Sequence, residues 1–198
     1  MSGKEKVNMD PQYIIRLTVT LLVTCVVIAA ALGGVNAVTK EKIAEINEGE
    51  TRAAMRSVFP DATGFSDALP LSAEMTEAAA VGGTLDSVYE AQVNGAGAGY
   101  AIKVVTSGSQ GSIEMIVGVD EENAVTGVSV VSNSETSGIG SRVIENENGV
   151  LDQFQGKSAA DGTLVVGTNV DAITGATVTT KGITAGVNAA LAVAGTLG

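Results

Sequence analysis

Between Arg16 and Lys40 the chain runs through residues 17–38, LTVTLLVTCVVIAAALGGVNAV, without one charged side chain. Roughly 22 residues at 1.5 Å each make about 33 Å of helix, enough to cross a hydrocarbon core of about 30 Å. Only Thr18, Thr20, Thr24 and Asn36 interrupt it with polar groups, too few for the polar face that a helix on a soluble core carries. The stretch is also longer than the apolar part of a cleaved leader. It is read as an uncleaved membrane anchor, and it organises the chain. A short tail over 1–16 precedes a transmembrane helix over 17–38; a helical stalk over 39–60 stops at Phe59-Pro60; the rest, 61–198, is a water-facing domain. Lys4, Lys6 and Arg16 before the span are nearly balanced by Lys40 and Lys42 after it, so charge alone orients it weakly.

Charge and composition then remove whole classes of function. The chain has 22 acidic and 11 basic residues, net −11; setting aside the two acids and three bases of 1–16 leaves 20 against 8. A nucleic-acid partner is excluded, because phosphate neutralisation needs clustered Lys and Arg, and an acidic domain is repelled by an anionic leaflet. There is no His, and the single Cys25 falls inside the apolar span, where it packs as a small apolar residue. A Cys/His zinc site, an iron–sulfur cluster, a His- or Cys-ligated haem and a Ser-His-Asp triad are therefore excluded within this chain. No metal ligand and no catalytic residue is assigned.

Residues 61–86 show no clear period. Beyond them, 87–93 and 99–105 alternate as strands across a flexible Asn-Gly-Ala-Gly-Ala turn, and 113–119 and 125–131 form a second pair around Asp120-Glu-Glu-Asn. A Gly-rich loop leads to a short helix at 141–147. Near the C-terminus, Ile183, Val187, Ala190, Leu191 and Ala194 recur at spacings of three and four, one apolar helical face. Paired strands followed by helices make the fold α+β, an antiparallel sheet with flanking helices.

Just before that last helix lies DAITGATVT, residues 171–179. Thr174, Thr177 and Thr179 surround Gly175 and Ala176, with Asp171 upstream. Gly175 can take the positive φ of a tight turn and Ala176 adds little bulk. Thr179 or Thr180 is expected to cap the helix, whose N-terminal N–H groups and dipole favour a phosphate; Lys181 would add a cation. A turn entering a helix reads the same way. The segment also resembles the flavinylation motif of the FMN-binding domain family: Asp, two residues, Ser or Thr, Gly, Ala, Ser or Thr, any residue, Thr. Upstream, GSQGSIEMIVGVD at 108–120 resembles that family's Gly-rich hairpin and strand, and ETSGIG at 135–140 stands where members carry Glu-Thr-Pro-Gly-Leu-Gly. Ser137 replaces the Pro, Ile139 the Leu, and Asn133 stands where a His is common.

The resemblance implies that a flavin transferase, with FAD as donor, joins FMN through its phosphate to Thr179. It makes Asp171 a helper of that step and Thr174, Gly175, Ala176 and Thr177 turn and phosphate neighbours. The loop would meet the ring: Gly138 and Gly140 through backbone N–H groups, Ile139 by packing on a face, Thr136 by donating a hydrogen bond. Glu135 would either disfavour an anionic flavin or cap the helix after it.

From anchor to motif the chain is similar to the G-subunit family of Rnf complexes, membrane assemblies that couple electron flow between ferredoxin and NAD to ion transport. That likeness implies one covalent FMN relaying electrons, a redox subunit of a translocase with no complete active site of its own, and other membrane subunits as partners. It implies a single pass through the cell's inner (cytoplasmic) membrane with the C-terminal domain extracytoplasmic. The alternatives are the C subunit of a sodium-pumping NADH:quinone reductase, with the same anchor, domain and motif, and a stand-alone tethered flavoprotein for extracellular electron transfer. A membrane-anchored interaction domain without flavin is the plainest.

Overall fold

A computed structural model describes residues 11–197; the first ten residues of the expected tail lie outside the described residues. Residues Pro11–Val58 form one helix, α1. Its most apolar window has a mean hydropathy of 2.4 with none of it buried, so it is long and apolar enough to cross a membrane. The Thr hydroxyls within it are satisfied internally, Thr20 donating to the Arg16 carbonyl and Thr24 to that of Thr20, each at 2.8 Å. The chain divides into two compact units at Asn47/Glu48. Residues 48–58 of the expected stalk therefore fall in the second unit.

That second unit is built on an antiparallel meander: β1 (Gly64–Phe65), β2 (Thr84–Val93), β3 (Ala96–Ser107), β4 (Ser112–Val119) and β5 (Val125–Asn133), each strand beside its sequence neighbours. The helices α2 (Ala73–Ala79), α3 (Gly140–Ile144) and α4 (Thr177–Ala194) complete it. The expected antiparallel α+β fold is observed.

Period-two alternation divides the sheet's side chains between two covers. Ile102 and Val104 of β3 with Ile113, Met115, Val117 and Val119 of β4 form one core with Ile183, Val187 and Ala190 of α4. Each fully buried Ile or Val there contributes about 1.5–3 kcal/mol. On the opposite face Ala91, Ala101 and Ile116 pack against Ala54, Met55, Val58 and Phe59 at the end of α1. Gly118 and Gly127 are cross-strand partners beneath Val58. A Cβ on Gly118 would lie 3.0 Å from the Cβ of Val58, and one on Gly127 3.3 Å from its Cα, so both absences let the helix end settle onto the sheet. Thr126 then donates its hydroxyl to the Val58 carbonyl at 2.7 Å, satisfying an acceptor the helix terminus leaves open.

Three local expectations change. The turn between β2 and β3 is only Asn94-Gly95, both at positive φ (52° and 82°), a tight hairpin geometry; Ala96, Gly97 and Ala98 belong to β3. The aperiodic segment 61–86 contains α2, started by Ser72, whose hydroxyl accepts from the Met75 N–H at 3.1 Å. The helix expected over 141–147 ends at Ile144, because Asn146 and Asn148 take left-handed φ values of 55° and 58°.

Candidate functional site

The motif's turn is set by Gly175, at φ 87°, between the buried Ile173 and Ala176. The helix α4 begins at Thr177 with Ala176 as its N-cap residue, which offers no side-chain cap. Neither Thr179 nor Thr180 caps it, contrary to expectation. Thr180 donates instead to the Ala176 carbonyl at 3.1 Å, and Thr184 to that of Thr180 at 2.8 Å. Thr179, third in the helix, faces inward and is 1% exposed.

What covers it is Glu135. One carboxylate oxygen, Oε2, accepts from Thr179 Oγ1 at 3.2 Å; the other, Oε1, accepts from the backbone N–H of Ser109 at 2.6 Å and of Gln110 at 3.3 Å. The two resembling segments thus meet through one side chain. A Cβ on Gly108 would overlap Oε1 and one on Gly140 would overlap Oε2, so both glycines make room for this carboxylate. The Asn133 Oδ1 accepts from the Glu135 N–H at 3.0 Å and fixes the start of the loop. Glu135 does not cap α3, which has no side-chain cap at all. Gly138 also departs from its expected part: its N–H donates to the Ser141 hydroxyl at 3.0 Å, and it does not line the cavity.

Around Thr179 lies a cavity of about 280 Å³ lined by Ser109, Gln110, Glu135, Thr136, Ser137, Ile139, Gly140, Gly175, Ala176 and Val178. That is just below the usual span of ligand sites, roughly 300–1,000 Å³. Its lip is apolar: Ile139 and Val178 are 59% and 57% exposed. A second cavity, of about 390 Å³, takes the other end of the motif. Asp171 and Thr174 line it together with Arg142, Glu147 and Gln153. Gln153 clamps the Asp171 backbone, accepting from its N–H at 2.7 Å and donating to its carbonyl at 2.9 Å. Arg142 and Glu147 pair through two 2.6 Å hydrogen bonds. Those bonds, with the guanidinium charge, hold the Glu147 carboxyl below the usual carboxylate range, and the same bonds raise Arg142.

Of the residues singled out from sequence, Glu135, Thr136, Ile139, Gly140, Gly175, Ala176 and Thr179 share one cavity; Asp171 and Thr174 belong to its neighbour; Thr177, Gly138 and Lys181 are exposed and line neither. Among the contributors not foreseen are Val178, at the motif's unspecified position, the hairpin tip Ser109-Gln110, and, in the second cavity, Arg142, Glu147 and Gln153. A hydroxyl at the floor, apolar side chains on the lip and backbone N–H groups already holding an anion suit a ligand that joins a phosphate to a flat apolar ring.

Residues 108–192 match the FMN-binding domain family, a span that contains both Glu135 and Thr179. Over 205 residues the chain is 35% identical to the G subunit of the Na(+)-translocating ferredoxin:NAD(+) oxidoreductase complex of Acetobacterium woodii, covering 98% of this chain and 97% of that one. It is 28% identical to the G subunit of the proton-translocating ferredoxin:NAD(+) oxidoreductase complex of Clostridium ljungdahlii, over 92% of each. The crystal structure of Shewanella oneidensis NqrC is similar at a TM-score of 0.43 and 20% identity, over 66% of this chain and 65% of that one.

Proposed function

This chain belongs to the family of G subunits of ion-translocating oxidoreductase complexes, and on that premise we propose that it is a flavin-carrying electron-transfer subunit whose FMN is esterified through its phosphate to Thr179. The observation that carries the reading is the position of Thr179 in one cavity with the exposed apolar pair Ile139 and Val178. Ala176 leaves the first N–H groups of α4 without a side-chain cap beside that hydroxyl, a setting that favours an anion.

In the attachment step Thr179 Oγ1 bonds to the flavin-side phosphorus of FAD while the phosphorus–oxygen bond to the adenylate half breaks. AMP leaves, and the hydroxyl proton passes to solvent. A flavin transferase supplies the donor and opens the site. When bound, the flavin supplies reversible electron transfer. The chain supplies placement: Ile139 and Val178 would flank the apolar ring, Gly175 and Ala176 keep the turn low, and Thr136 would border the polar edge.

The same reading puts 17–38 across the cell membrane and the acidic domain on the extracytoplasmic side, where covalent attachment prevents loss of the cofactor. The partners are the other membrane subunits of an Rnf-type complex, in which electron flow between ferredoxin and NAD drives ion translocation. The chain is one station in that flow and holds no complete active site.

Expression with a flavin transferase tests this directly. The chain should stay fluorescent through a denaturing gel and gain the mass of one FMN less water, and Thr179→Ala should lose both signals. A wild type that never gains flavin, or a Thr179→Ala chain that keeps it, defeats the reading.

A further inference from the structure

Thr179 carries its hydroxyl against an anion. Glu135 Oε2 accepts from Thr179 Oγ1 at 3.2 Å, and its other oxygen holds the consecutive backbone N–H groups of Ser109 and Gln110 at 2.6 and 3.3 Å. No Lys or Arg lines this cavity among the described residues. An ester at Oγ1 has no hydrogen left to donate to the carboxylate, and it brings a phosphate with one negative charge to the space the carboxylate fills. Two anions in that space repel strongly unless one takes up a proton or a cation lies between them. Consecutive N–H groups in a turn, by contrast, form a concavity that binds either anion.

We infer that Glu135 is an internal stand-in for the flavin's phosphate: it occupies the Ser109 and Gln110 N–H groups until Thr179 is esterified, then yields them to the phosphodiester and turns out to solvent. The inference rests on the attachment reading above. The surroundings permit the exchange. The Asn133 side chain holds the backbone N–H of Glu135, so the carboxylate can leave while the loop's root stays fixed. The residues that follow, Thr136 to Ile139, are exposed, with Gly138 at φ 112°. Gly108 and Gly140, which lack the Cβ that would close the slot, leave it open to the incoming group as well. In the unmodified chain the carboxylate keeps both N–H groups satisfied and the acceptor hydroxyl covered.

The exchange predicts that the worth of Glu135 depends on modification. Thermal unfolding of the full-length chain in detergent micelles is compared for wild type and Glu135→Ala, each with and without flavin. Loss of the carboxylate should lower the Tm of the unmodified chain by roughly 5 °C and that of the flavinylated chain by no more than about 1 °C. Amide NMR signals of Ser109 and Gln110 should move on flavinylation of the wild type, and should then be insensitive to Glu135→Gln, a variant that preserves side-chain volume should the Ala variant fold poorly. Equal Tm losses in both forms, unmoved amide signals, or a Glu135 variant that folds but cannot be flavinylated would overturn the exchange. If the wild type takes no flavin, or Thr179→Ala still takes it, the attachment reading fails first; if flavin sits on Thr179 and the Tm losses match, only the exchange fails.

Discussion

Gly182 of α4 meets the backbone carbonyl of Ser107, the last residue of β3, with no room for a Cβ between them. Thr179 lies one turn earlier on the same helix, so this approach sets the attachment residue against the Gly108 hairpin.

Helix propensity alone would make Gly182→Ala stabilising by about 1 kcal/mol. Overlap with a backbone oxygen cannot be relieved by a rotamer change, and overpacking of this kind costs about 1–3 kcal/mol. The clash should win. Chemical denaturation should show a lower midpoint for Gly182→Ala, and flavin incorporation should fall as Thr179 shifts relative to Glu135. A raised midpoint would mean that α4 can move off β3.

We propose that the sheet-bearing unit needs residues 48–60. Met55, Val58 and Phe59 cover Ala91, Ala101 and Ile116, and removing them forfeits on the order of 5 kcal/mol of apolar burial. A fragment of residues 48–198 should elute as a monomer in size-exclusion chromatography. One of residues 61–198 should self-associate or unfold through the bared sheet face, and equal behaviour of the two would refute the assignment.

The clamp of Gln153 on both backbone groups of Asp171 makes a distant amide part of the motif's geometry. Gln153→Ala should cost about 1–2 kcal/mol, the ordinary loss for partly exposed hydrogen bonds. It should also slow flavin incorporation, because residues 171–174 lose their fixed start. Incorporation at the wild-type rate would show that the transferase reads the segment in extended form.

Arg142 holds the Glu147 carboxyl below its ordinary range by hydrogen bonding and charge. A depressed carboxyl contributes stability that is present above its unfolded value, about 4.3, and is lost as pH falls through the lower folded value. Melting curves should therefore show an acid-side decline in the wild type that is shallower in Glu147→Gln. Parallel curves would mean the pair is not maintained in solution.

Much of this was legible locally. The strands β2 to β5 announced themselves because their side chains alternate between two covers, and α4 because its apolar residues recur every three or four positions. The missing parts depend on distant partners. The seven residues of α2 have too little length for a period and depend on packing into the shared core. The last turn of α1 read as stalk because the Gly118–Gly127 depression that receives Val58 lies far along the chain. Glu135 was visible as a motif residue, but it does not cap α3, and the partners it does hold could not be read from its neighbours. Its partners are the N–H groups of a hairpin 25 and 26 residues upstream and a hydroxyl 44 residues downstream. Gly140, read as a backbone N–H donor to the ring, also makes room for the same carboxylate.

The seat of α4 is keyed by missing side chains: Gly182 against Ser107, Gly186 against Thr106 and Met115, Gly82 against Ala185. A one-turn shift of the helix in one direction would set Val178 against the Ser107 carbonyl, and in the other would set Ala190 against the Thr106 and Met115 side chains. Thr179 is thus indexed by residues that never touch it. Grafting the nine residues 171–179 onto a foreign helix would transplant the acceptor without its address; the transferable cassette runs on through Gly186 and takes the notched sheet with it.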